Sequence, residues 1–254
     1  MNVEIRFLKE LRRRLMVMKK AEQVPRFWPE GCYGSALSWL MFVGPSPGGR
    51  RSAARRPARA PTAGRRLWNT DFNEPYAKGA TGWLGKYREN IPVLVSTIVG
   101  LPLEKGSARL YGFANFDWVP SPREHQVSPA RMKQGEKDVL AVLKSSRPQV
   151  IAALTQGSYS RLLKCLRREG YSFFFPARQE VCIRIDPQGR AHHRSMDVLK
   201  LLGTGRLAGS VVVRLPQHPA RMLYGGHGKR CARAVRKAVL QIFRLESVLV
   251  IHEP

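Results

Sequence analysis

A chain of 254 residues with 43% hydrophobic composition has enough apolar material for one large α/β domain or two small ones, which excludes disorder throughout. Forty-four Lys and Arg against eighteen Asp and Glu give a formal charge of +26, a field that favours a polyanionic partner by releasing its condensed counterions, nucleic acid first. The four cysteines, Cys32, Cys165, Cys182 and Cys231, contain no C-x-x-C pair, which argues against a zinc ribbon or a secreted disulfide scaffold and for reduced thiols.

Residues 1–36 read as an N-terminal basic helical segment. Apolar and basic residues alternate at helical spacing over Met1–Lys20, either as a plain solvated helix or as one touching DNA or an acidic partner. Glu4 and Glu10 interrupt it, no apolar core of signal-peptide length is present, and no run reaches the roughly 18 apolar residues of a membrane span. The expectation is a cytoplasmic protein without a membrane partner.

Residues 37–245 read as an α/β domain and 246–254 as a tail. Buried strands are expected at Leu37–Val43, Leu110–Asn115, Val150–Leu154 and Ser210–Leu215, short apolar runs followed by loop or helix chemistry. Helices are expected at Trp83–Val99, with a break or kink at Pro92, and at Pro129–Ser145, Tyr159–Arg168 and Lys229–Phe243. Strands alternating with helices predict three layers, α/β/α, around a central mainly parallel four-stranded sheet, with the working residues at the carboxyl ends of the strands. Two stretches interrupt the pattern. The loop 48–66 has seven arginines, Arg50, Arg51, Arg55 and Arg56 among them, and no acid; it reads as an arm that orders on a phosphate backbone or as a solvated linker. The insertion 186–209 is polar, holds His192 and His193, and reads as a lid or a surface insertion.

Four segments, three of them at strand ends, carry candidate chemistry. The first strand runs into Gly44-Pro45-Ser46-Pro47-Gly48-Gly49, where glycines admit a ligand close to the backbone and prolines fix the turn. Glu74 and Tyr76 precede the Gly-rich entry to a helix; a carboxylate activates water and an aromatic stacks on an extruded base. Asn115 ends the second strand with Asp117 close by; its amide offers a donor and an acceptor to a base edge, while a turn-forming role is equally open to it. His218 lies between Pro216 and Pro219 after the last strand, placed to stabilise negative charge on a departing base.

The order of these pieces, GPSPG, EPYAKGATGWL, FANFDWVP, PQVIAALTQGSYSRLL and QHPARM, resembles the uracil-DNA glycosylase superfamily from about Leu37 to Phe243. The resemblance implies a monofunctional DNA N-glycosylase. Tyr76 would stack on the flipped base, Asn115 would read its edge, His218 would stabilise it as it leaves, and Ser46 would line the pocket. Met222, Leu223 and Tyr224 would sit in the loop that wedges into the duplex, with Arg221 and Lys229 as further DNA contacts. It implies double- or single-stranded DNA as partner, a monomer, and no metal or organic cofactor. The iron-sulfur ligands of some members lack counterparts, with Val119 near one expected position and the N-terminal cysteine pair absent.

The chain departs from the family where the first motif supplies a water-positioning acid, for Pro45 and Ser46 stand there. Glu74, Asp71 and Asp117, in that order, are the replacements, and Asp117 serves equally as a structural carboxylate. Uracil is the superfamily's default base. The missing acid, the arginine-rich loop and the insertion at 186–209 suit instead a bulky modified base, as in the phage-defence glycosylases of the superfamily that excise glucosylated hydroxymethylcytosine from viral DNA. Two other classes fit the charge: a nucleic-acid-binding protein that keeps the fold without catalysis, and an RNA-binding protein.

Overall fold

The computed structural model describes Lys9 and residues 32–34, 38–45, 91, 93–100, 111–117, 129–219 and 227–249. Among these residues lie strands β1 (Tyr33–Gly34), β2 (Leu40–Gly44), β3 (Tyr111–Asn115), β4 (Val150–Ala153), β5 (Ser172–Ile185), β6 (Ala191–Leu202) and β7 (Val211–Arg214). The helices are α1 (residues 93–99), α2 (Pro129–Ser146), α3 (Gln156–Arg168) and α4 (His227–Leu249).

Every residue of β2, β3 and β4 is buried, as expected of strands covered on both faces, whose side chains alternate between two apolar layers. Leu40, Phe42, Phe113, Val150 and Val213 pack on one side with Val95 and Ile98 of α1 and Val235 and Val239 of α4. Met41, Val43, Ala114, Ile151 and Val212 pack on the other with Val139 and Leu143 of α2 and Leu162 and Leu166 of α3. Phe42 and Phe113, cross-strand partners in the β2–β3 register, stack with ring centroids 5.1 Å apart. Two helical layers therefore sandwich one sheet, and the chain is α/β.

The sheet itself differs from the mainly parallel four-stranded one expected. It is mixed and has seven strands in the order β1-β3-β2-β4-β7-β6-β5. Parallel pairing links β3, β2, β4 and β7, while β1, β6 and β5 are added antiparallel. The polar insertion expected at 186–209 contains β6, a full member of the sheet, and Ser172–Ile185 is its hairpin partner β5. Apolar alternation in β6 is confined to its second half, since Ala191–Arg194 are exposed and only Met196, Val198, Leu199 and Leu201 are buried. β5 is an edge strand interrupted by Pro176, which a ladder tolerates at an edge.

Helix termini follow local chemistry. Thr155 caps α3 in an extended conformation, its Oγ1 accepting from the Ser158 N–H at 3.1 Å, so the helix begins at Gln156 rather than Tyr159. Pro129 opens α2, where its missing N–H costs nothing. Residues 83–90 and Pro92 of the first expected helix lie outside the described residues. Among the described residues no helix is long and apolar enough to cross a membrane.

Candidate functional site

After β2 the chain crosses to β3 on one side and then returns to place β4 on the other. The strand order thus reverses between β2 and β4, and outside the carboxyl ends of such strands an open α/β sheet forms its ligand crevice. The ends of all four parallel strands meet along this edge: Gly44-Pro45, Asn115-Phe116-Asp117, Leu154-Thr155-Gln156 and Leu215-Pro216-Gln217-His218.

Backbone hydrogen bonds carry the pairing past the strand ends. Phe116 N–H donates to Gly44 O at 3.1 Å and Asp117 N–H to Pro45 O at 2.9 Å, while Leu154 N–H reaches Val43 O at 2.9 Å and Leu215 N–H reaches Ala153 O at 3.1 Å. Asn115 lies opposite Gly44 in the register and is 6% exposed. A Cβ on residue 44 would stand 2.6 Å from Asn115 Oδ1 and 3.1 Å from Leu154 Cδ1. The glycine therefore makes the space in which the Asn115 amide lies, over the end of β2 and toward β4. Beneath it the Cys32 thiol contacts the Asn115 backbone, and burial pushes that thiol up to about 12, which leaves it an inert packing group.

Asp117 is 2% exposed, with Oδ2 3.4 Å from Arg131 Nε of α2. Its carboxylate ties the β3 turn to α2, the structural role that its burial favours. His218 stands half-buried at the far end of the same edge, in the turn after β7. Lys229 is exposed in the first turn of α4. Asp71, Glu74, Ser46, Tyr76, Arg50, Arg51, Arg55, Arg56, Arg221, Met222 and Leu223 lie outside the described residues.

A second group at the edge was not foreseen from the sequence. Arg214, the last residue of β7, places Nε 2.8 Å from Asp197 Oδ2, donates from Nη2 to Ser195 O at 2.9 Å and Oγ at 2.7 Å, and donates from Nη1 to Gln156 Oε1. Arg178 Nε lies 3.4 Å from the other Asp197 oxygen. One guanidinium thus links β7, β6 and the start of α3. Tyr159 packs under it with the guanidinium Cζ 6.0 Å from the ring centroid; among the described residues its buried hydroxyl has no hydrogen-bond partner, and burial, aided by Asp197, pushes it up to about 12. The usable signal was an arginine closing a three-valine run, since a charged residue ending a buried strand needs a partner.

Among the described residues no cluster of three or more His, Cys, Asp or Glu side chains could hold a metal ion. No protein-family model matches the sequence, and no curated protein matches it.

Proposed function

We propose that the chain is a DNA glycosylase that flips a modified base out of DNA and hydrolyses its N-glycosidic bond, leaving an abasic site. One observation carries the reading: a buried Asn115 amide, accommodated by Gly44, lies at the crevice where the strand order reverses, on the sheet edge that also bears His218. β3 and β7 are three strand spacings apart, roughly 14 Å at about 4.8 Å each, which leaves room for a nucleobase between an amide at one end and an imidazole at the other.

Each group has a distinct task in this scheme. Extruding a base costs roughly a few kcal/mol, offset by phosphate contacts of the cationic surface and by a wedge filling the stack. Asn115 reads the hydrogen-bonding edge of the base. As the glycosidic bond lengthens, negative charge moves to the base and positive charge to the sugar; His218 stabilises the first. A carboxylate stabilises the second and positions the attacking water, with Glu74 ranked first because Asp117 is engaged by Arg131. The absent first-motif acid and the unusual insertions favour a bulky base, with glucosylated hydroxymethylcytosine of phage DNA as the substrate of choice.

Incubation with phage DNA carrying modified cytosines, and separately with uracil-containing DNA, tests this. Abasic sites are expected in the first; abasic sites in the uracil substrate alone would reject the modified-base assignment. The engagement of Asp117 by Arg131 also favours a second reading, a DNA-binding protein without catalysis. That reading requires that neither the intact protein nor its Glu74→Ala and Asn115→Ala variants release any base while all bind DNA equally.

A further inference from the structure

The β5–β6 hairpin reaches well past the sheet that supports it. β6 pairs with β7 only through Val198–Lys200, and Val198 faces Val213, so Ala191–Met196 run beyond the end of β7. At about 3.3 Å per residue this is roughly 20 Å of two-stranded ribbon past the end of β7, its base covered at Met196 and its four outermost β6 residues, Ala191–Arg194, exposed beyond the carboxyl edge that bears Asn115 and His218.

Its tip is built to hold its shape. Asp186 Oδ1 accepts from the backbone N–H groups of Gln188 at 3.0 Å and Arg190 at 2.8 Å, Oδ2 accepts from Arg190 Nε at 2.9 Å, and Gly189 takes the left-handed conformation, φ +79°, that closes the turn. Asp186 is thereby committed to the turn. Arg184, His192, His193 and Arg194 are exposed on the ribbon. On the flank of the arm runs the start of α4. Gln179 bonds Gln241 at 3.0 Å; ten residues back along the helix and five forward along β5 are each roughly 15 Å, which brings exposed Lys229 and Arg233 level with Arg184. Val181, Ile183, Cys231 and Val235 belong to one apolar cluster, and Cys182 and Cys231 lie close enough to interact electrostatically, in keeping with this alignment.

We propose that this arm, with the first turns of α4, is a separate contact for duplex DNA: a β-ribbon that seats in the major groove beside the site and sets its arginines against the flanking phosphates. The major groove, about 12 Å wide, admits a two-stranded ribbon, whereas the deep, narrow major groove of duplex RNA does not. Charge complementarity selects the occupant: Glu180 lies at the base of the ribbon opposite Ser195, Asp186 at the tip is already paired with Arg190, and the exposed charges between them, Arg184 and Arg194, are cationic. The placement beside the crevice rests on the glycosylase reading; the DNA contact does not.

The test is equilibrium binding to an unmodified DNA duplex, by fluorescence anisotropy across a salt series. The double variant Arg184→Ala/Arg194→Ala is compared with Lys164→Ala/Arg206→Ala, which removes the same charge from exposed positions on α3 and the β6–β7 turn. Thermal melts confirm that both are folded. The arm variant is expected to bind at least about tenfold more weakly, with the salt slope reduced by about two, and the control to stay close to the parent. Equal loss in both variants would reduce the effect to general charge and overturn the proposal, as would equal loss on a duplex RNA of the same sequence or no loss at all. Base release, assayed separately, isolates the other reading: weakened arm binding in a protein that excises nothing upholds the arm and sinks the glycosylase, and excision with an indifferent arm does the reverse.

Discussion

Asn115 owes its position to a residue on another strand. Because the Cβ of an alanine at position 44 would come within 2.6 Å of its Oδ1, Gly44→Ala forces the amide to move. Overpacking of this kind costs about 1–3 kcal/mol, and base release should fall by roughly the factor expected for Asn115→Ala, on the order of a hundredfold; a variant as active as the parent would detach Asn115 from the site. The thiols supply a second check. Burial raises the Cys32, Cys165 and Cys231 thiols above their ordinary value, whereas Cys182 is partly exposed. A thiol reagent at neutral pH should therefore label Cys182 first, as peptide mapping would record. The strand-end positions of Asn115 and His218 were legible in the sequence because each follows a short apolar run. Asp197 and Arg214 were not, since their pairing depends on β6 lying beside β7, a contact between distant parts of the chain that no local spacing encodes.

At the scale of elements, α2 is held against the β3 turn more tightly than helical periodicity implies. A Cβ on Gly135 would stand 2.0 Å from the Phe116 carbonyl oxygen, so Gly135→Ala must push the helix away from backbone, and a loss of about 2–3 kcal/mol in denaturant unfolding is expected. Glu136, one residue on, joins α2 to α3 through Arg161 at 2.6 Å and through Arg168. Burial pushes its carboxyl up, and the two guanidiniums more than offset that and hold it below its ordinary value of 4.5. A depressed carboxyl stabilises the fold above its unfolded value and loses that contribution as pH falls. Glu136→Gln should thus be less stable than the parent at neutral pH by about 1 kcal/mol, a small figure because Arg168 is largely exposed. The gap should begin to close as pH falls below the ordinary carboxyl value and vanish once pH has passed the lower folded-state value; a gap independent of pH would assign the effect to packing. The four parallel strands and the three helices after residue 128 could be read from apolar runs and periodicity. The β5–β6 hairpin escaped because the outer half of β6 is exposed, while β5 mixes buried Val181 with exposed Phe174, Phe175 and Ile185, so neither strand shows the alternation that marks a half-buried strand.

For the whole molecule, the α/β class followed from alternating strands and helices, and the sheet proved larger and more mixed than that pattern required, because antiparallel additions at its margins need only a few apolar positions each. The cationic surplus acts at this scale as well. If phosphate contacts carry the affinity, binding to DNA should weaken by orders of magnitude between 50 and 200 mM salt, with a linear dependence of log affinity on log salt; a flat dependence would remove the polyanion from the account. The most direct measurement counts abasic sites formed in phage DNA with modified cytosines by the parent protein and by Asn115→Ala and His218→Ala, at one salt concentration and with binding measured alongside. The expected result is excision by the parent and a severe loss in both variants at little cost in binding. Excision undiminished in the two variants, or none in the parent on any DNA it binds, would contradict a base-excision site at the carboxyl edge of this sheet.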